Sequence, residues 1–160
     1  MDTYLSDSQQ AQLLRPINPL RVKHMDGLSH LEAWDVRAHL NRVFGFARWS
    51  ADVLDVAELY SVETTTLAGK PAWKTAYRAT LRLTICAPDG GVLATYTEAA
   101  VGESIMPDFK RGDCHDMAIK TAESQALKRC ATNLGDQFGL SLYDNGRTNA
   151  VVRASLLHTA

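Results

Sequence analysis

The chain has 160 residues, with 17 Lys+Arg against 18 Asp+Glu and a formal net charge of −1. Apolar residues at 46% and charged residues at 22% exclude wholesale disorder, and the length suits one domain that buries roughly 70% of its unfolded surface. No apolar run approaches the ~18 residues of a membrane span, and the start MDTYLSDSQQ is unlike a signal peptide. The odd, widely spaced set Cys86, Cys114 and Cys130 argues against a disulfide framework and for a reducing compartment.

In chain order, residues 1–28 are mixed, with Pro16 and Pro19 interrupting any helix, and read as an arm leading into the fold. Ser29 and Glu32 fit a capping box, and Val36, Leu40, Val43 and Phe44 follow at helical spacing up to Gly45, which predicts a helix over about 30–44. Residues 49–62 fit a helix about as well as a strand, and the β-rich neighbourhood favours a strand. An Ala68-Gly69-Lys70 turn joins it to residues 73–86, which alternate strictly. Tyr77, Leu81, Leu83 and Ile85 fall on one face, with Lys74, Arg78, Arg82 and Thr84 on the other. Pro88-Asp89-Gly90-Gly91 predicts a hairpin turn, with Val92–Val101 as the return strand. A flexible stretch is expected from Gly102 to Gly112. A long, Ala-rich helix then spans about 114–134, with Asp113 as its N-cap and Gly135 and Gly139 at its end. The tail after Asp144-Asn145-Gly146 reads as loosely held.

Charge falls in blocks that the total hides: −4 over 52–63, +4 over 64–88, −4 over 89–108 and +2 over 109–129. Taken whole, −1 argues against a nucleic-acid binder; taken in blocks it does not. Lys74, Arg78 and Arg82 recur every four residues on one strand face, ~13 Å apart. That row suits a sugar-phosphate backbone, with Trp73, Tyr77 and Trp49 close in sequence as stacking surfaces, and it equally suits an ordinary exposed sheet face. The adjacent cations Lys128 and Arg129 point about 100° apart on the long helix, as a phosphate clamp or as a solvated helix edge.

Catalytic constellations are thin. Gly69-Lys70 lacks the rest of a phosphate loop, no Gly-x-Ser-x-Gly elbow exists, and His24, His30, His39, His115 and His158 show no metal-ligand spacing. Nothing demands an enzyme, a metal or a cofactor.

Two stretches carry a resemblance. Leu40-Asn41-Arg42-Val43-Phe44-Gly45-Phe46-Ala47-Arg48-Trp49 resembles the N-x-x-F-G-(Y/F)-x-x-W segment of the Rad52/Rad22 family of single-strand annealing proteins. Ala122 to Leu140, with Leu127-Lys128-Arg129-Cys130 at its centre, is similar to that family's A-x-x-x-A-L-K-R-A-x-x-x-(F/L)-G-x-x-(F/L)-G helix, and Ser141–Asp144 continue it. The similarity covers about residues 18–146 and has the flavour of bacterial and phage members, including the DNA-damage-response annealing proteins of radiation-resistant bacteria.

The resemblance implies an α+β fold, an antiparallel β-β-β-α core with a curved sheet packed on a long helix, assembling into an oligomeric ring. It implies an arm at 1–17, an annealing domain at 18–146 and a tail at 147–160. Single-stranded DNA would lie in a basic groove and be annealed without ATP in recombinational repair. The family's inner-groove pair falls on Lys128 and Arg129, and a further basic residue falls near Arg21 or Lys23. Lys74, Arg78 and Arg82 would add phosphate contacts from the sheet. An outer DNA site would take Lys70 with Lys110 or Arg111. Partners would be single-stranded DNA and further copies of the chain, with duplex DNA, a single-strand binding protein or a nuclease as additional candidates. The expected place is the cytoplasm, on the nucleoid of a bacterial cell or phage-infected host. Two rival readings are a small α+β enzyme with a pocket between sheet and helix, and an assembly module that binds a protein through the 73–101 hairpin.

Overall fold

The period-two pattern of residues 73–86 forms the middle strand of a three-stranded sheet in the computed structural model, which describes residues 4–155. The elements run α1 (Asp7–Leu13), β1 (Lys23–Met25), β2 (Leu28–His30), α2 (Ala33–Phe44), β3 (Trp49–Thr65), β4 (Pro71–Cys86), β5 (Val92–Pro107) and α3 (Arg111–Thr132). Short 3-10 turns occupy Pro19–Arg21, Asp108–Lys110, Asp136–Phe138 and Leu140–Tyr143. The large sheet has the order β3-β4-β5. Its strands are joined by tight turns and are therefore antiparallel. No described helix is long and apolar enough to cross a membrane.

The chain gathers into two compact units. The first holds residues 4–50, Leu83–Tyr96 and residues 130–155; the second holds Ala51–Arg82 and Thr97–Arg129. β4, β5 and α3 each contribute residues to both.

In the second unit α3 covers one face of the sheet. Thr75, Ala79 and Leu81 of β4 are buried, as are Cys114, Ala118, Ala122, Ala126 and Leu127 of α3. The Cys114 thiol reaches the carbonyl oxygens of Trp73 and Ser104, both at 3.3 Å. Small side chains on the helix let it come close, and Gly102 of β5 completes the fit. A Cβ there would lie 2.2 Å from the Ala118 carbonyl oxygen and 2.4 Å from the Ala122 nitrogen. The turn before β4 closes by the Thr66 N–H donating to the Lys70 carbonyl at 2.8 Å, with Gly69 at φ +74°.

In the first unit the helix α2 buries Val36, Leu40, Val43 and Phe44, the stripe expected from the sequence. Leu83, Ile85, Ile17 and Phe138 are buried in the same unit, and the Phe138 ring stacks on Phe44 with centroids 6.3 Å apart. The chain after α3 turns at Gly135 and Gly139, with φ of +100° and +95°. Such backbone favours glycine and explains why both positions carry it. The buried Asp136 carboxylate accepts the Val151 and Val152 amides, both at 2.9 Å, and so ties the chain beyond Gly146 to this unit.

Several expectations need correction. The capping box is not at Ser29: that residue lies in β2, α2 starts at Ala33, and Glu32 makes no side-chain cap. Residues 4–28 are structured. Ser6 and Gln9 form a true capping box on α1, and Asp26 and Gly27, at φ +52° and +75°, make the tight turn of the β1–β2 hairpin. Residues 102–107, expected to be flexible, complete β5, and α3 begins at Arg111 with Asp113 inside its first turn. His158 and the last residues of the expected tail lie outside the described residues.

Gly102→Ala places a methyl group against helix backbone, which no rotamer change relieves. Urea unfolding of this variant is expected to show a loss of about 2 kcal/mol or more, whereas Gly112→Ala, with open space at its Cβ, is expected to leave stability nearly unchanged.

Candidate nucleic-acid interface

The cations singled out from the sequence fall into distinct settings. Lys128 and Arg129 sit late in α3, beside the buried Leu127 that anchors the helix on the sheet. Arg129 is exposed and its guanidinium lies 3.4 Å from the Glu98 carboxylate of β5. Lys128 is half-buried. The apolar stripe of α3 faces inward, so adjacent cations are presented along its edge.

Lys74, Arg78 and Arg82 occupy the face of β4 opposite the one that α3 covers. Each meets a carboxylate from a flanking strand: Glu103 of β5 at 3.3 Å, and Asp55 and Asp52 of β3 at 3.0 and 3.5 Å. The acidic blocks therefore pair with the basic block within one chain. The pairs Arg78–Asp55 and Arg82–Asp52 are about half exposed, and ion pairs in that setting contribute about 0–1 kcal/mol. A phosphate can replace such a carboxylate at little cost. At the third rung the Tyr60 hydroxyl also donates to Glu103. That bond, together with the Lys74 ammonium, holds the Glu103 carboxyl below its usual range, and Glu103 in turn raises Lys74.

At the end of the sheet where β3 meets β4, the Arg111 guanidinium lies over the Trp73 ring, 3.9 Å from its centroid. It also bonds Glu63 at 2.9 Å and Asp108 at 2.6 Å. The Trp73 indole N–H donates to His115 Nε2 at 3.0 Å, and His115 Nδ1 is 2.7 Å from the Tyr77 hydroxyl. Trp has no other role than donor, so Nε2 accepts and Nδ1 carries the proton. Tyr77 then donates toward Glu58 at 3.4 Å. Burial, followed by the Glu58 charge, pushes the Tyr77 hydroxyl up. Trp73 and Tyr77 are thus engaged within the fold. Trp49, the third expected stacking surface, is half-buried and donates to Asn41 Oδ1 at 2.8 Å. Lys70 and Lys110 are exposed.

Arg21 and Lys23 differ sharply. The Arg21 side chain is 13% exposed and its guanidinium clasps the buried Asp35 carboxylate, with Nη2 at 2.8 Å, while Nη1 donates to the Gln137 carbonyl at 2.8 Å. Lys23 lies exposed on β1. The Gln137 side chain has every hydrogen-bonding position filled. Its oxygen accepts from His39 Nε2 (2.9 Å) and Gln12 (3.0 Å), and its amide donates to the Arg15 and Pro16 carbonyls at 2.9 and 2.8 Å. His39 Nδ1 accepts from Arg42 Nε at 3.1 Å, which fixes the neutral Nε2–H form. Burial first, then the Arg21 and Arg42 charges, bring the His39 pKa down to about 4. The sequence reading weighed His39 and His115 only as metal ligands and did not single out Gln137, because His39 meets Gln137, and His115 meets Trp73 and Tyr77, across long stretches of chain.

A family profile described as "Rad52/22 family double-strand break repair protein" matches residues 5–158. The chain is 26% identical over 148 residues to the DNA repair and recombination protein rti1 of Schizosaccharomyces pombe, covering 87% of this chain and 37% of that protein. It is also 26% identical over 143 residues to the DNA repair and recombination protein RAD52 of Eremothecium gossypii, covering 86% of this chain and 30% of that one. The chain spans about a third of the length of these curated relatives.

The His39 site gives a pH dependence with a defined sign. An imidazole free in the unfolded chain titrates near 6.5 and the folded one near 4, so below 6.5 the unfolded chain takes up a proton that the folded chain refuses. The contribution is present above pH 6.5 and is lost as pH falls toward 4. Urea midpoints measured from pH 7.5 to 4.5 are expected to fall in the wild type and to fall less steeply in His39→Gln.

Proposed function

The chain belongs to the Rad52/22 family of double-strand break repair proteins, and on that premise we propose that it binds single-stranded DNA and anneals complementary strands without ATP in recombinational repair. The observation that carries this reading is the adjacent pair Lys128 and Arg129 at the edge of α3, within the stretch that bears the family signature. The two cations hold phosphates. Lys23 adds a charge from β1, and Lys74, Arg78 and Arg82 add contacts by exchanging their exposed carboxylate partners for phosphate. Arg21, whose guanidinium clasps Asp35, is the alternative to Lys23 for that charge. Contacts of this kind touch the backbone and leave base edges free, so a second strand can test pairing. Duplex stacking, roughly 1.4 kcal/mol per step, drives the product. The chain acts as a binding protein and not as an enzyme.

Self-association into a ring, with the sheets forming a curved surface, belongs to the same reading. It is supported by β3, an edge strand of 17 residues that exposes Val53, Leu54, Val56, Leu59 and Val62. A long unpaired apolar edge is a template for pairing with another chain. Lys70, Lys110 and Arg111 are proposed to form a second DNA contact, open to duplex. The protein would work on the nucleoid, alongside a single-strand binding protein or a nuclease.

Fluorescence polarisation with labelled oligo-dT over a salt series tests the assignment. The wild type is expected to bind with a log–log salt slope of about −0.7 per phosphate neutralised, and Lys128→Ala with Arg129→Ala to reduce that slope by about 1.4 in magnitude. The oligomer mass by light scattering is expected to stay unchanged. Intact binding by the double variant at moderate salt overturns the assignment of these two residues. A wild type that ignores oligo-dT at low salt overturns the annealing reading itself.

A further inference from the structure

In the first unit, α2 carries a large aromatic side chain that the core does not use. The helix buries Val36, Leu40, Val43 and Phe44. Trp34, Arg37 and Asn41 follow one another at three- and four-residue spacing and so form a second stripe, outside the buried one. Trp34 is 65% exposed, and Arg37 is exposed one turn further along. The Trp34 indole N–H donates to the Glu32 carboxylate, which holds the ring by its edge while most of its surface meets solvent. The Arg37 guanidinium carbon lies 5.9 Å from the centroid of the Trp49 ring, and the Trp49 indole N–H donates to Asn41 Oδ1 at 2.8 Å. Asp35, the acid within the first turn of α2, is buried and paired with Arg21 and Arg42. Among the described residues no carboxylate lies within ion-pair distance of Arg37.

We propose that Trp34 is a stacking platform for an unpaired base of single-stranded DNA, and that Arg37, one turn along α2, holds the adjoining phosphate. Three features favour a nucleotide as occupant. A broad indole ring supplies stacking that tolerates any base. A guanidinium without an acidic partner matches an anionic backbone. The rest of the stripe is polar, with Arg37 and Asn41 following the single aromatic, whereas a protein groove or a helix would need a contiguous apolar patch. The remaining tryptophans are engaged within the fold, Trp49 with Asn41 and Trp73 with His115 and Arg111. A tryptophan left in solvent forgoes the stabilisation that burying so large a side chain brings, and contact with a base recovers it. This site rests on the single-strand binding proposed above and adds to it a contact to bases, which cations that hold phosphate do not make.

Two probes separate stacking from charge: labelled oligo-dT, and an oligonucleotide of the same length made of abasic sites. Trp34→Ala is expected to weaken oligo-dT binding at least about fivefold, the low end of what one stacked base contributes. It should leave abasic binding, the salt slope and the oligomer mass as in the wild type. Trp34→Phe is expected to restore most of the oligo-dT affinity. Unlabelled oligo-dT should quench the tryptophan fluorescence of the wild type and leave that of Trp34→Phe nearly unchanged, because Trp49 and Trp73 are half-buried and hydrogen-bonded. Arg37→Ala should weaken both probes and reduce the magnitude of the salt slope by about 0.7. Three results overturn the proposal while leaving the Lys128–Arg129 assignment standing. They are unchanged oligo-dT binding by Trp34→Ala, an equal loss on both probes, and a change in oligomer mass, which would make this face a contact between copies of the chain. A wild type that binds neither probe overturns the annealing reading and this one with it.

Discussion

The close approach of β5 to α3 at Gly102 is the constraint on which the second unit depends. With a carbonyl oxygen and an amide nitrogen inside the space a methyl group would need, the strand must carry glycine and the helix must show small residues. Ala118, Ala122 and Ala126 meet that demand, and all are fully buried. The consequence reaches the surface. A helix seated so close has no room for charge on its inner face, so Lys128 and Arg129 are driven to its edge and His115 is brought between Trp73 and Tyr77. The rotational setting of the cations follows from the size of the residues beneath them.

Charge in this chain is organised across strands. A net value of −1 reflects near-equality between a basic middle strand and acidic flanking strands, and the ion pairs of Lys74, Arg78 and Arg82 show that the cancellation is local. The blocks seen along the sequence become rungs across a sheet face. Asp52, Asp55 and Glu103 of the acidic blocks meet cations of the basic strand within one chain. Where the rungs stop, at Lys70 and Lys110, the positive charge is uncompensated among the described residues.

Much of the fold was legible where a short-range rule governs it. Strict alternation marked β4, and helical spacing marked the buried stripe of α2. Glycine at positive φ marked the end of the long helix. The failures have equally physical causes. Ser29 and Glu32 have the spacing of a capping box, yet β1 pairs with Ser29 and His30, and the hairpin prevails over the cap. The same rule applied at Ser6 and Gln9 would have found α1, and the Asp26-Gly27 dipeptide would have found the hairpin. Gly102 was read as a break in the strand, because a sequence cannot show that the missing side chain makes room for a helix. Of the site, the cations and their spacing were visible; their partners were not. Arg21 was expected as a groove cation in place of Lys23, and only the distant Asp35 and Gln137 show that its charge is engaged within the fold.

On the annealing reading, the difference between buried and exposed pairs has a mechanistic use. Arg21 with Asp35 is sheltered from solvent and fixed by several hydrogen bonds, so no passing phosphate displaces that carboxylate. The rungs on β4 are exposed and weak, so a phosphate competes with them on nearly equal terms. An annealing surface needs that equality. Held too firmly, a strand could not shift register while its partner searched for complementarity, and the finished duplex could not leave. Cations that return to their own carboxylates when DNA departs offset the loss of each phosphate contact. The acids that lower the net charge then aid release, and a chain of charge −1 becomes well suited to holding DNA briefly at many points.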